Sequence, residues 1–163
     1  MSLFRDPDGE YRGASGGLRM VSPESAHVDA LLRLMVPRDL AAFAALGAED
    51  PALVIKGGIA ASTYGWCAVE GNEPLCIGGV VPQTLLSDVG RPWMIAQPGL
   101  RRHKKALLRE SRARLVEIRR RFAVLRNYVA DDYPESLRWL AWLGFRIGER
   151  ECVAGVWVRE VTL

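Results

Sequence analysis

Apolar residues recur along this chain with two different periods, and the changes between them mark out the expected elements. Residues 18–21 form a short apolar run of strand type. Ser22-Pro23-Glu24-Ser25 then reads as a helix start, with Ser22 as the cap and Pro23 in the first turn. Across residues 27–35, Val28, Leu31, Leu32 and Met35 share one helical face. Pro37 interrupts that helix, residues 38–46 resume one, and Gly47 ends it. Residues 51–61 fit neither period cleanly, because Gly57-Gly58 weakens a helix.

The remainder is patterned more sharply. Residues 65–70 and 74–81 are apolar strands on either side of Gly71-Asn72, a hairpin signal. Residues 92–96 are a further short strand. Residues 102–121 make the longest helix, where Leu108, Leu115, Ile118 and Phe122 form a buried stripe with the small Ser111 between them. Strand 123–130, helix 134–143, strand 145–148 and strand 153–161 complete the chain. The expected class is α/β, a mixed central sheet flanked by helices. Residues 1–17 lack either period and are expected to be an extended arm, either a loose tail or a segment docking through Phe4 and Tyr11.

Composition narrows the class further. The chain has 163 residues, 49% hydrophobic and 25% charged, as expected for one globular domain over residues 18–163. No run of about 18 apolar residues occurs, so no segment is expected to span a membrane. The polar, acidic start lacks the basic flank and apolar stretch of a secretory leader. Cys67, Cys76 and Cys152 are odd in number and widely spaced, and the chain has only two histidines. That pattern predicts free thiols, with no disulfide framework and no metal site.

The element order resembles that of the GNAT acetyltransferases. The best local match is the stretch from Asp132 to Phe145, DYPESLRWLAWLGF, which is similar to the last helix of that fold. It carries Arg138 and Trp139 and closes on Leu143, Gly144 and Phe145. The likeness runs over residues 18–163 and is strongest after residue 90. Within the fold, the chain looks closest to GNAT-like proteins of short-tailed bacteriophages, including a small internal virion protein. That narrower likeness lies in Trp93, in the basic helix from Arg101 to Arg121, and in Leu125-Arg126-Asn127-Tyr128-Val129.

The resemblance implies a site at residues 97–105, where the family holds the pyrophosphate of coenzyme A on a glycine-rich turn entering a helix. Bare backbone N–H groups and the helix dipole do that work. Here Arg102, His103 and Lys104 stand at about the glycine positions, and their side chains crowd that space. Arg101, Arg102, Lys104 and Lys105 are the residues expected to bind an anion instead, through charge-assisted bonds. The family's acid is often a Tyr, at the position of Leu140 here, with Tyr133 as a possible substitute. No carboxylate lies within residues 92–96, where a base is often found. Asp88, Glu70 and Glu73 are expected on the surface, and His103 is the nearest group that titrates near neutrality. No catalytic residue is therefore assigned. No cofactor is required, and acetyl-CoA is the cofactor if the chain is an enzyme.

Eleven Lys and Arg lie between Arg101 and Arg126, against Glu110 and Glu117 alone. They predict a solvated face, a non-specific DNA-backbone contact or an acidic protein partner. Arg112, Arg119 and Arg120 are the natural test positions. The resulting expectation is a virion-associated structural or assembly component with a degenerate acetyltransferase-like fold. It would meet other virion proteins and no membrane, in the particle or in the cytoplasm of the infected host. The alternative is an acetyl-CoA-dependent N-acyltransferase with an atypical cofactor loop.

Overall fold

The computed structural model describes residues 17–45 and 47–163. The arm expected at residues 1–17, with Phe4 and Tyr11, lies outside them except for Gly17. The elements are β1 (Leu18–Val21), α1 (Ser25–Leu34), α2 (Pro37–Ala45), α3 (Pro51–Ala61), β2 (Tyr64–Glu70), β3 (Glu73–Pro82) and β4 (Val89–Ala96). A 3-10 helix (Pro98–His103) leads into α4 (Lys104–Arg121), and β5 (Val124–Ala130), α5 (Pro134–Trp142), β6 (Arg146–Val153) and β7 (Val156–Thr162) follow. The seven strands run in the order β1-β2-β3-β4-β5-β7-β6. The sheet is mixed: β4 and β5 pair in parallel, whereas β1–β2, β2–β3, β5–β7 and β6–β7 are antiparallel. The expected α/β class, a mixed sheet with helices, is what forms.

The chain divides into two compact units, one built on residues up to Val81 with Trp93–Ala106, the other on Pro82–Pro92 with Leu107–Leu163. In the first unit, Val28, Leu31 and Met35 of the α1 region close over Ile55, Cys67, Val69 and Ile77. Burial among these groups pushes the Cys67 thiol up to about 12, which keeps it protonated and inert. α1 begins later than its sequence suggests. Glu24, not Ser22, is the cap, and its N–H donates to Nδ1 of His27 at 3.1 Å. A side-chain acceptor three residues on thus displaces the serine as the start signal.

α3 is helical despite Gly57-Gly58. Asp50 caps it by accepting from the Ala52 N–H at 2.8 Å, and Pro51 starts its first turn. Gly58 is small for a packing reason, since a Cβ there would lie 3.2 Å from the Trp93 ring. Trp93 Nε1 donates to Ser62 Oγ at 3.0 Å, and that hydroxyl donates to the Gly58 carbonyl at 2.7 Å. Trp93 thereby locks the end of α3 onto β4.

In the second unit, Ile118, Phe122 and Leu125 are buried. The Leu125 and Leu163 backbones exchange hydrogen bonds of 2.8 and 2.9 Å, which fixes Leu163 to β5. α5 ends as its Leu-Gly-Phe sequence predicts. Gly144 has φ 99°, a left-handed conformation, and Phe145 N–H returns to the Leu140 carbonyl at 3.0 Å. The last two strands form a longer hairpin than expected, turning at Ala154 and Gly155 with φ 49° and 82°. Two successive left-handed residues suit a tight hairpin, but Ala-Gly is a weak sequence signal for one.

Candidate functional site

The start of the basic helix is built by Gln97. This residue follows β4, is only 7% exposed, and anchors its own N–H on the Leu75 carbonyl at 3.0 Å. Its Oε1 accepts from the Gly99 N–H at 2.6 Å, and its carbonyl accepts from the Leu100 N–H at 3.1 Å. Pro98 has no N–H to offer. The first three positions after Gln97 therefore present no unclaimed backbone donor. Gly99 lacks a side chain for the sake of this contact, because a Cβ there would sit 2.7 Å from Gln97 Oε1. The Gln97 amide is oriented in turn by Glu73, whose Oε1 accepts from Nε2 at 2.7 Å.

A second carboxylate meets the next turn. Glu70, the last residue of β2, accepts from Arg102 Nη2 at 2.9 Å and lies 2.9 Å from His103 Nε2. The hydrogen bond from Arg102 holds the Glu70 carboxyl below its ordinary range; burial opposes that shift, and His103 adds to it. An ionised carboxylate only accepts, so His103 presents Nε2–H to it. The His103 side chain is 9% exposed and half-buried against Glu70.

The four expected anion ligands are thus not equivalent. Arg102 is held by Glu70. Arg101, Lys104 and Lys105 are exposed, and neither lysine makes an ion pair among the described residues. Glu70 and Glu73, expected on the surface, are the residues that organise the helix start. Sequence reasoning missed them and Gln97 because the partners lie 24 to 33 residues apart. The one available signal is that both carboxylates flank the Gly71-Asn72 turn.

The remaining candidates are dispersed. β4 carries Trp93 where a base is often found. Tyr133 is the N-cap residue of α5, and Leu140 is half-buried on that helix. Asp88 offers its backbone carbonyl to Val124 N–H at 3.2 Å. The parallel pairing of β4 with β5 is confined to Val89↔Val124 and Gly90↔Leu125. Asn127 continues it by side chain: Nδ2 donates to the Pro92 carbonyl at 2.6 Å, and Oδ1 accepts from Tyr128 N–H at 2.8 Å. No group of three or more His, Cys, Asp or Glu suited to a metal occurs among the described residues.

Much of the basic helix is engaged within the protein. Arg114 pairs with Glu110 and Arg120 with Glu117. The Arg112 guanidinium stacks 3.7 Å from the centre of the Trp142 ring. Arg119 caps the Ala123 and Leu163 carbonyls, and Arg126 pairs with Glu160.

No protein-family model and no curated protein matches the chain by sequence. Solved structures do match it by shape. A GNAT-family acetyltransferase from Bacillus anthracis superposes with a TM-score of 0.67 at 12% identity, covering 91% of this chain and 94% of that one. A ribosomal L7/L12 α-N-protein acetyltransferase in complex with coenzyme A gives a TM-score of 0.67, with 12% identity and coverage of 91% and 94%. A putative acetyltransferase from Salmonella typhimurium with acetyl-CoA gives 0.61 at 13% identity, again covering 91% and 94%. At such identities the likeness establishes the fold: this chain has the GNAT fold.

Proposed function

We propose that this chain uses the GNAT fold as a binding scaffold, without the family's backbone grip on coenzyme A. One observation carries the reading. The helix start that would receive the pyrophosphate is closed by Gln97, and Glu70 holds Arg102 and His103 beside it. The residues present do not fit the pyrophosphate in the family's manner. A phosphate would have to displace Gln97 Oε1 from Gly99 N–H and compete with Glu70 for Arg102 and His103. Two carboxylates already beside the turn would also repel it. The chain supplies its own anion where a cofactor's would sit. In this proposal the protein is an assembly component, and the likeness to short-tailed phage proteins suggests the virion as its setting. DNA-backbone contact through the α4 arginines belongs to the same proposal.

A second reading is favoured by a separate observation. The solved structures that match are acetyltransferases, two of them with coenzyme A or acetyl-CoA bound. Under it, Arg101, Lys104 and Lys105 would meet the cofactor's phosphates through side chains, and acetyl-CoA would supply the acyl group.

Thermal denaturation separates the two. A ligand at a hundred times its Kd stabilises the native state by about 2.7 kcal/mol, a shift of several degrees. Under the scaffold reading, millimolar acetyl-CoA leaves the Tm unchanged. A clear rise, with acyl transfer to an amine acceptor, would establish the enzyme reading instead. Mass spectrometry of purified particles tests the setting, and absence of the chain from them would remove the virion assignment.

A further inference from the structure

The six-residue connection between β3 and β4 carries the two most exposed large apolar side chains among the described residues. Leu85 is 93% exposed and Leu86 95%. They occupy the two central positions of a turn closed by Ser87 N–H to the Thr84 carbonyl at 3.1 Å. Those positions favour Gly, Pro, Asn or Asp, each for a backbone or hydrogen-bonding reason. Leucine offers neither, so the choice of residue is not explained by the turn.

The stem beneath the tip is held firmly. Gln83 N–H donates to the Val89 carbonyl at 2.9 Å, and Ser87 Oγ accepts from Val89 N–H at 3.0 Å. Arg121 Nη1 donates to the Ser87 carbonyl at 3.1 Å, and Val124 N–H to that of Asp88 at 3.2 Å. A braced stem thus presents two leucines to solvent. Around it the charge is positive. Arg121 bonds to a carbonyl, which leaves its charge uncompensated, and Arg91 is exposed three residues beyond Asp88. Asp88 is the single acidic residue of the connection.

We propose that the Leu85–Leu86 tip docks this chain on an anionic lipid surface, the leucines entering the interface and Arg91 and Arg121 facing the head groups. A convex apolar tip needs no matching pocket in a bilayer, and a basic surround complements an acidic one. The contact is peripheral. No helix among the described residues is long and apolar enough to cross a membrane. Two apolar side chains and two charges support weak, reversible attachment, of the order given by a single acyl chain or less.

Sedimentation with vesicles tests this. The full chain should pellet with vesicles containing about one-third phosphatidylserine, poorly with pure phosphatidylcholine, and less as salt rises from about 0.1 to about 1 M. The double substitution Leu85→Ser, Leu86→Ser should lower the bound fraction about tenfold or more at unchanged Tm, since both positions are solvent-exposed. Arg91→Gln should weaken anionic-vesicle binding alone. Failure of the wild type to pellet, or equal pelleting by the double variant, overturns the proposal. So does self-association of the wild type that the double variant loses, with no vesicle binding: the tip would then be a protein contact.

Discussion

At its start, α4 follows Arg101, Arg102 and His103; at its end it carries Arg119, Arg120 and Arg121. The two ends satisfy these side chains differently. At the start, Glu70 takes Arg102 and His103, and Gln97 takes the first amide, so these groups find their partners inside the protein. At the end, Arg119 and Arg121 bond to the carbonyls of Ala123, Leu163 and Ser87. Those bonds suit a helix C-terminus, where the dipole favours cations. The end that a family likeness marks for anion binding is therefore satisfied in part, at Arg102 and His103, while Lys104 and Lys105 stay exposed there. A count of basic residues along the sequence cannot distinguish them.

The largest expected effect comes from breaking the N-terminal closure. Gln97→Leu leaves the buried Gly99 N–H without its acceptor and Glu73 without its donor. We expect a loss of about 2 kcal/mol, read as a lower urea midpoint at unchanged m-value. A neutral result would mean that the closure is not what holds the turn. Arg119→Met tests the other end. It removes two bonds to carbonyls from an exposed side chain, and about 1 kcal/mol should be lost. A loss as large as that of Gln97→Leu would erase the contrast between the two ends.

Glu70→Gln gives the smallest effect, seen in pH dependence. The folded Glu70 carboxyl titrates below its ordinary range because Arg102, and then His103, favour its charged form. A depressed folded pKa contributes stability above the unfolded value, which is lost as pH falls through the folded one. Wild type and variant should therefore differ in Tm near neutrality and converge in acid. The variant should also bind inorganic pyrophosphate more tightly by calorimetry, because Arg102 loses its internal anion. Parallel Tm curves with unchanged pyrophosphate affinity would show that Glu70 does not guard the helix start.

The cysteines and the β2–β3 hairpin illustrate how far sequence reasoning reached. Gly71-Asn72 marked the turn correctly, because a two-residue turn is a local matter. The α4 stripe and the Leu143-Gly144-Phe145 ending were legible for the same reason: helical period and a left-handed cap are written within a few residues. The helix over Pro51–Ala61 was not, because Gly57-Gly58 argues against a helix until Trp93 is seen against Gly58. Cys67 and Cys76 are buried and Cys152 is exposed, a difference that their spacing does not carry.

By itself, then, the sequence determined the class of fold, the order of its elements and the placing of Arg102, His103 and Lys104 at the start of the basic helix. Each depends on residues within about two helical turns of one another. Only the tertiary structure decided what those residues meet. Gln97, Glu73, Glu70 and His103 converge because the β2–β3 hairpin brings its turn back beside the residues that follow β4. The identity of a charge is local, but its partner is chosen by strand pairing across many residues, and the partner decides whether that charge is available to a ligand.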